Sequence, residues 1–309
     1  MRFSEKIMNF RRLFLTTAAL IGLAACTSNS NTITPVPLAP QHLYVADAHS
    51  GGPILQYTLP LTGASMPSAT IGSGGEGSLA LDAAGNLAAG NTAGQISIFT
   101  APLTSSSVPS ATFNNGASTP VGQMAFNNAG DLFAATEDIS VNVFTHPLTS
   151  ASTPSQAITS AGLSAAIGTL LDSSGNLYVS NSAGAGSNIY VFAPPYSGTP
   201  IITSVQAGKA YRKMAGSGNQ LFVANVSGAT GSVDVYNTPL TTASTPAFSM
   251  TNVNSPEALA FDNAGNLYVG NLGDGTIRVF TPPFSAASSP AVTLVESGSF
   301  AIFGMAIGP

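Results

Sequence analysis

Downstream of residue 26 the chain carries four bases, and three of them crowd into the run Lys209, Ala210, Tyr211, Arg212, Lys213. Cations beside an aromatic ring suit an anionic or sugar ligand, with Tyr211 as a stacking surface and Arg212 and Lys213 as charged donors. The same charges have a plainer use. Arg212 or Lys213 can bond Glu257 and fix an interface between neighbouring units, because a partly buried charge normally has a partner. Tyr211, Arg212, Lys213 and Glu257 are therefore the candidate ligand-binding residues.

Other chemistries find fewer residues. A divalent-metal hydrolase needs several converging oxygen ligands. Glu257 is the one carboxylate at its position in the repeat described below, with Glu76 one residue off register, so neither a metal site nor a cofactor is expected. His42, His49 and His146 fall at places that should not converge, which argues against a general base. No nucleophile elbow is present, and the serines recur because a loop recurs. No catalytic residue is assigned. The competing enzyme reading, a lactonase-like hydrolase, would have to draw on Glu257 with Asn181, Asn225 and Asn271. Those asparagines either face a ligand or cap their own turns.

The elements that must position these residues come from a repeat. Leu43, Leu87, Leu132, Leu177, Leu221 and Leu267 recur at spacings of 44, 45, 45, 44 and 46 residues. Four residues after each stands a short polar residue: Asp47, Asn91, Thr136, Asn181, Asn225 and Asn271. Prolines keep the same register at Pro60, Pro102, Pro147, Pro195, Pro239 and Pro283, and again at Pro67, Pro109, Pro154, Pro200, Pro246 and Pro290. In the copy from Pro256 to Leu294, Leu259 to Phe261 reads as an inner strand and Asp262 to Asn266 as a hairpin turn. Leu267 to Val269, Ile277 to Phe280 and Val292 to Leu294 read as three further strands. Proline after the third strand removes a ladder donor and forces the connection outward.

Four antiparallel strands at a period near 45 predict an all-β fold, a six-bladed β-propeller over residues 41–309. The first copy lacks its inner strand. Met305, Ala306 and Ile307 match Leu259, Ala260 and Phe261, so the C-terminal strand should complete blade one and close the ring. Counted back from the recurrent leucine, the positions leading into the inner strands are Gly77, Gly122, Ile167, Tyr211, Glu257 and Phe303. This places Lys213 where blade six has Leu259, an apolar site where an unpaired cation is costly.

These repeats, from Gln41 to Pro309, resemble the NHL-repeat and gluconolactonase-like (TolB-like) six-bladed propellers, whose units run proline, inner strand, Asp, Gly, Asn, second strand, Asn. The resemblance implies the fold. It implies little about function, since propellers host enzymes, binders and scaffolds alike.

The first 26 residues read as an export signal. Arg2, Lys6, Arg11 and Arg12 precede an apolar run from Leu13 to Ala25 that is too short to be a stable membrane span. The run ends Leu23, Ala24, Ala25, Cys26, which resembles the lipobox of bacterial lipoproteins, and Cys26 is the chain's one cysteine. Lipidation at Cys26 would anchor the protein to a membrane. Thr27 in place of Asp after the cysteine favours the outer membrane. Phe10 to Leu15 also resembles a twin-arginine motif, and the export route stays open between the two readings. Residues 27–40 form a polar tether.

Past Cys26 there remain 12 acids against 4 bases, a net charge of −8. That surface repels nucleic acid, and no basic stripe overrides it. The expectation is a monomeric, lipid-anchored propeller of the cell envelope that binds a protein or glycan partner without catalysis.

Overall fold

The turn from Asp262 to Asn266 shows why each unit folds back on itself. Asp262 Oδ1 accepts hydrogen bonds from the backbone N–H of Ala264 at 2.9 Å and of Asn266 at 2.8 Å. Gly265 closes the turn at φ 81°, a conformation that a side chain would strain. Blades two, three and four build the same turn at 82–86, 127–131 and 172–176.

A computed structural model describes residues 40–47, 52–72, 76–182, 186–197, 199–207, 209–296 and 301–309. Residues 1–39, and with them the expected export signal and Cys26, lie outside the described residues. Ala39–Pro309 forms a compact unit. Its described residues make 24 strands in six antiparallel sheets of four. The chain is a six-bladed β-propeller.

The ring closes as the repeat predicts. Ile302–Gly308 pairs antiparallel with His42–Asp47, setting Leu43 opposite Ile307 and Val45 opposite Met305. The second and inner strands of blade six pair identically, Leu267 with Phe261 and Val269 with Leu259. Tyr57 of blade one donates its hydroxyl to Glu296 of blade six at 2.5 Å across the closing interface. The proline after every third strand follows a cis peptide bond, from Pro60 to Pro283.

Between blades the alternating apolar face of each sheet packs on the next. Phe222 of blade five meets Phe261 and Phe284 of blade six edge-on at 5.0 and 5.3 Å. Phe113 and Phe144 join blades two and three, and Phe133 and Tyr196 join blades three and four. Burying side chains of this size contributes roughly 1.5–3 kcal/mol each. With few charges in the chain, this packing carries the fold.

Candidate functional site at the channel mouth

The inner strands reach the ring axis with a bulge. In blade six Pro256 pairs with Asn271 and Ala258 with Gly270, which leaves Glu257 outside the ladder. The same shift falls between Glu76 and Ser78, between Ala166 and Gly168, and between Tyr211 and Met214. A bulge re-aims a side chain, and the residues it frees include Glu257 in blade six and Arg212 in blade five.

This register corrects the placement of the basic cluster. Blade five has a two-residue hairpin, with Ser217 paired to Gln220, where its neighbours have the longer Asp-led turn. Its inner strand is therefore one residue closer to Leu221 than the leucine spacing implies. Tyr211 corresponds to Pro256, Arg212 to Glu257, Lys213 to Ala258, and Met214 to Leu259. Lys213 thus does not occupy the place of Leu259.

Arg212 and Glu257 form the interface pair expected of them, with Arg212 Nε 3.3 Å from Glu257 Oε2. The Arg212 side chain is 31% exposed and that of Glu257 only 7%. Burial pushes the Glu257 carboxyl up to about 7, against the pull of Lys213 and Arg212. A second carboxylate, Glu137, acts on both Glu257 and Lys213.

Lys213 is 4% exposed. Its ammonium donates to the carbonyl of Gly77 in blade two at 2.9 Å and to the carbonyl of Phe303 in blade one, and it lies 5.7 Å from the centre of the Phe303 ring. Blades five and two face each other across the ring, so this side chain spans the axis. Burial lowers the Lys213 pKa while Glu257 and Glu137 pull it back up. The two carbonyl acceptors favour the charged form.

Gln123 makes a second crossing. Its side-chain amide donates to Met214 O at 2.7 Å and accepts from Met214 N at 2.8 Å, which links blade three to blade five past blade four. Ser180 of blade four donates to Arg212 O at 2.6 Å. These side chains thus bond one another or backbone, while the buried hydroxyl of Ser78, in the inner strand of blade two, has no partner among the described residues.

Tyr211 lies elsewhere. It is fully buried, and its hydroxyl bonds Tyr236 and Asp234 inside blade five. Its ring has no face free for stacking. Burial and these two partners push its pKa up. Sequence reasoning missed the acid at the centre of this network. Asp234, fully buried, accepts from Ser232 at 2.8 Å and Ser249 at 2.7 Å, and pairs with Lys209 Nζ at 3.0 Å. The signal available was an acid in mid-strand between Val233 and Val235.

The asparagines cap backbone. Asn181 Oδ1 accepts from Ser164 N and Ala165 N. Asn225 Oδ1 accepts from Ala210 N and Ser227 N, and Asn271 Oδ1 from Asn254 N. His42 sits in the second strand of blade one and His146 before the cis proline of blade three, while His49 lies outside the described residues. Among the described residues no group of His, Cys, Asp and Glu is arranged to hold a metal.

With this geometry in hand, known proteins add the fold alone. No protein-family profile and no curated protein matches the chain. Solved structures do. A protein of unknown function from Bacteroides caccae is 13% identical with a TM-score of 0.64, over 87% of this chain and 99% of that one. A candidate 6-phosphogluconolactonase from Bacteroides uniformis is 13% identical with a TM-score of 0.59, over 83% of each chain. The β-propeller domain of Cps50 (Swd1) from Myceliophteria thermophila is 11% identical with a TM-score of 0.56, over 82% of this chain and 83% of that one.

Proposed function

We propose that this chain is an exported, lipid-anchored propeller of the NHL-repeat or gluconolactonase-like (TolB-like) type. It serves as a non-catalytic binding or scaffolding module of the cell envelope, held at the outer membrane through Cys26. One observation carries the non-catalytic reading. The side chains that reach the axis, Lys213, Gln123, Arg212 and Glu257, are bonded to one another or to backbone, and Lys213 crosses to the opposite blade. A ligand entering there would have to break buried charge-assisted bonds. Binding at the ring's outer surfaces to an envelope protein or glycan meets no such cost. The net −8 beyond Cys26 supports a partner other than nucleic acid.

Anchoring is tested by growing cells with an alkyne-tagged fatty acid. The wild-type chain should take up label and fractionate with membranes, and Cys26→Ser should do neither. Unlabelled wild type would remove the anchor from the account.

The alternative is a lactonase-like hydrolase at the channel mouth. Glu257, with its carboxyl near neutrality, favours it as a general base, as does the fold shared with the candidate 6-phosphogluconolactonase. Hydrolysis of sugar lactones that Glu257→Gln abolishes would establish that reading.

A further inference from the structure

The short hairpin of blade five leaves a gap on the face opposite the channel mouth. In blades two, three, four and six the turn glycine packs on the cis-proline loop; Gly175, for example, would place a Cβ 3.5 Å from Pro194, and Gly265 one 3.9 Å from Pro282. The equivalent turn of blade five is Gly218 and Asn219, and around Gly218 nothing lies within 4 Å. Between this turn and the Asp172 turn of blade four opens a cavity of about 500 Å³. That lies within the range of small-ligand sites, ~300–1,000 Å³.

Its chemistry is neutral. Leu170 and Leu221, from the core shared by blades four and five, form an apolar wall with Tyr178, and Ser173, Ser217, Asn219 and Gln220 supply hydroxyls and amides. Those four side chains make no hydrogen bond among the described residues. No cation lines the cavity. Its one carboxylate, Asp172, already accepts from Ser174 N, Asn176 N and Asn176 Nδ2.

We propose that this notch between blades four and five binds a neutral glycan, a site separate from the channel mouth and independent of what happens there. Each serine and amide both donates and accepts, as sugar hydroxyls do, while the leucine wall meets the C–H face of a pyranose. An anion would find no counter-charge and a cation no free carboxylate. An apolar ligand would desolvate the polar rim. A peptide would need an open sheet edge, a long apolar groove or an aromatic-lined track, none of which lines this cavity.

The test is calorimetric titration of the full chain in detergent with maltohexaose, cellohexaose and chitohexaose, with an oligogalacturonate and a mixed peptide pool as controls. At least one neutral oligosaccharide should bind with a Kd of roughly 1 mM or tighter. Asn219→Trp, which fills the notch from an exposed turn, should weaken binding at least about tenfold with the melting temperature unchanged. Grafting the blade-six turn, 262–266, in place of the equivalent residues 217–220 should do the same. If the graft does not fold, Ser173→Trp replaces it. The proposal is overturned if no neutral sugar binds, if only the oligogalacturonate or the peptides bind, or if a folded notch variant keeps wild-type affinity.

Discussion

Lys213 of blade five donates to the carbonyl of Gly77 in blade two at 2.9 Å, so one side chain ties together blades on opposite sides of the ring. The same ammonium bonds Phe303 in the strand that closes the ring. Removing it leaves two buried carbonyls without a donor and opens a void. Lys213→Ala should therefore destabilise the fold by roughly 2–4 kcal/mol, read from urea unfolding. A change under about 0.5 kcal/mol, the scatter of ordinary surface substitutions, would mean the crossing does not matter.

Glu257 links the site to pH. Its carboxyl rises from 4.5 to about 7 on folding, chiefly through burial. The folded state then holds a proton that the unfolded state has released between those values. Its contribution to stability is full below pH 4.5 and is lost as pH rises to about 7. Glu257→Gln should flatten the fall in melting temperature across that window relative to wild type. Parallel curves for the two proteins would remove Glu257 as the source.

Asp234, the one carboxylate of blade five, should be costlier to delete than Asp274 of blade six. Asp234→Ala strips the partner from Lys209 and the acceptor from Ser232 and Ser249. A loss of roughly 2–4 kcal/mol is expected from leaving the hydroxyls of Tyr211, Ser232 and Ser249 without their acceptor. The check is thermal unfolding beside Asp274→Ala, whose carboxylate is 27% exposed against 0% for Asp234 and should cost less.

Ring closure has its own close approach. A Cβ at Gly270 would lie 2.4 Å from Ile302 Cγ2, in the strand that completes blade one. Gly270→Ala should cost roughly 1–3 kcal/mol through overpacking. Deleting residues 302–309 should go further and replace one cooperative unfolding transition with a broad one, visible by calorimetry.

The repeat was legible because each blade places the same residue at the same structural point. The recurrent leucine is the first or second residue of every second strand, the proline follows every third, and Met305 to Ile307 shows its pairing through likeness to Leu259 to Phe261. The contact of Arg212 with Glu257 was readable for the same reason, as adjacent positions on neighbouring blades. Lys213 was not, because counting back from Leu221 assumes a hairpin of constant length, and blade five shortens it at Gly218 and Asn219. The slip of one residue also hid the fate of Tyr211. Its burial follows from pairing with Asn225, which turns the ring inward onto Tyr236. The 44-residue spacing from Leu177 to Leu221 was the trace of that shortening.

The most direct test of a channel mouth closed to catalysis is a melting-temperature screen of the full chain against divalent metals, sugar lactones and acidic sugars, with and without chelator. A ligand held only by the folded state must raise the melting point. The account predicts no chelator-sensitive shift with any metal or lactone. A metal-dependent rise that disappears in Glu257→Gln would contradict it and place a hydrolase site at the mouth of the channel.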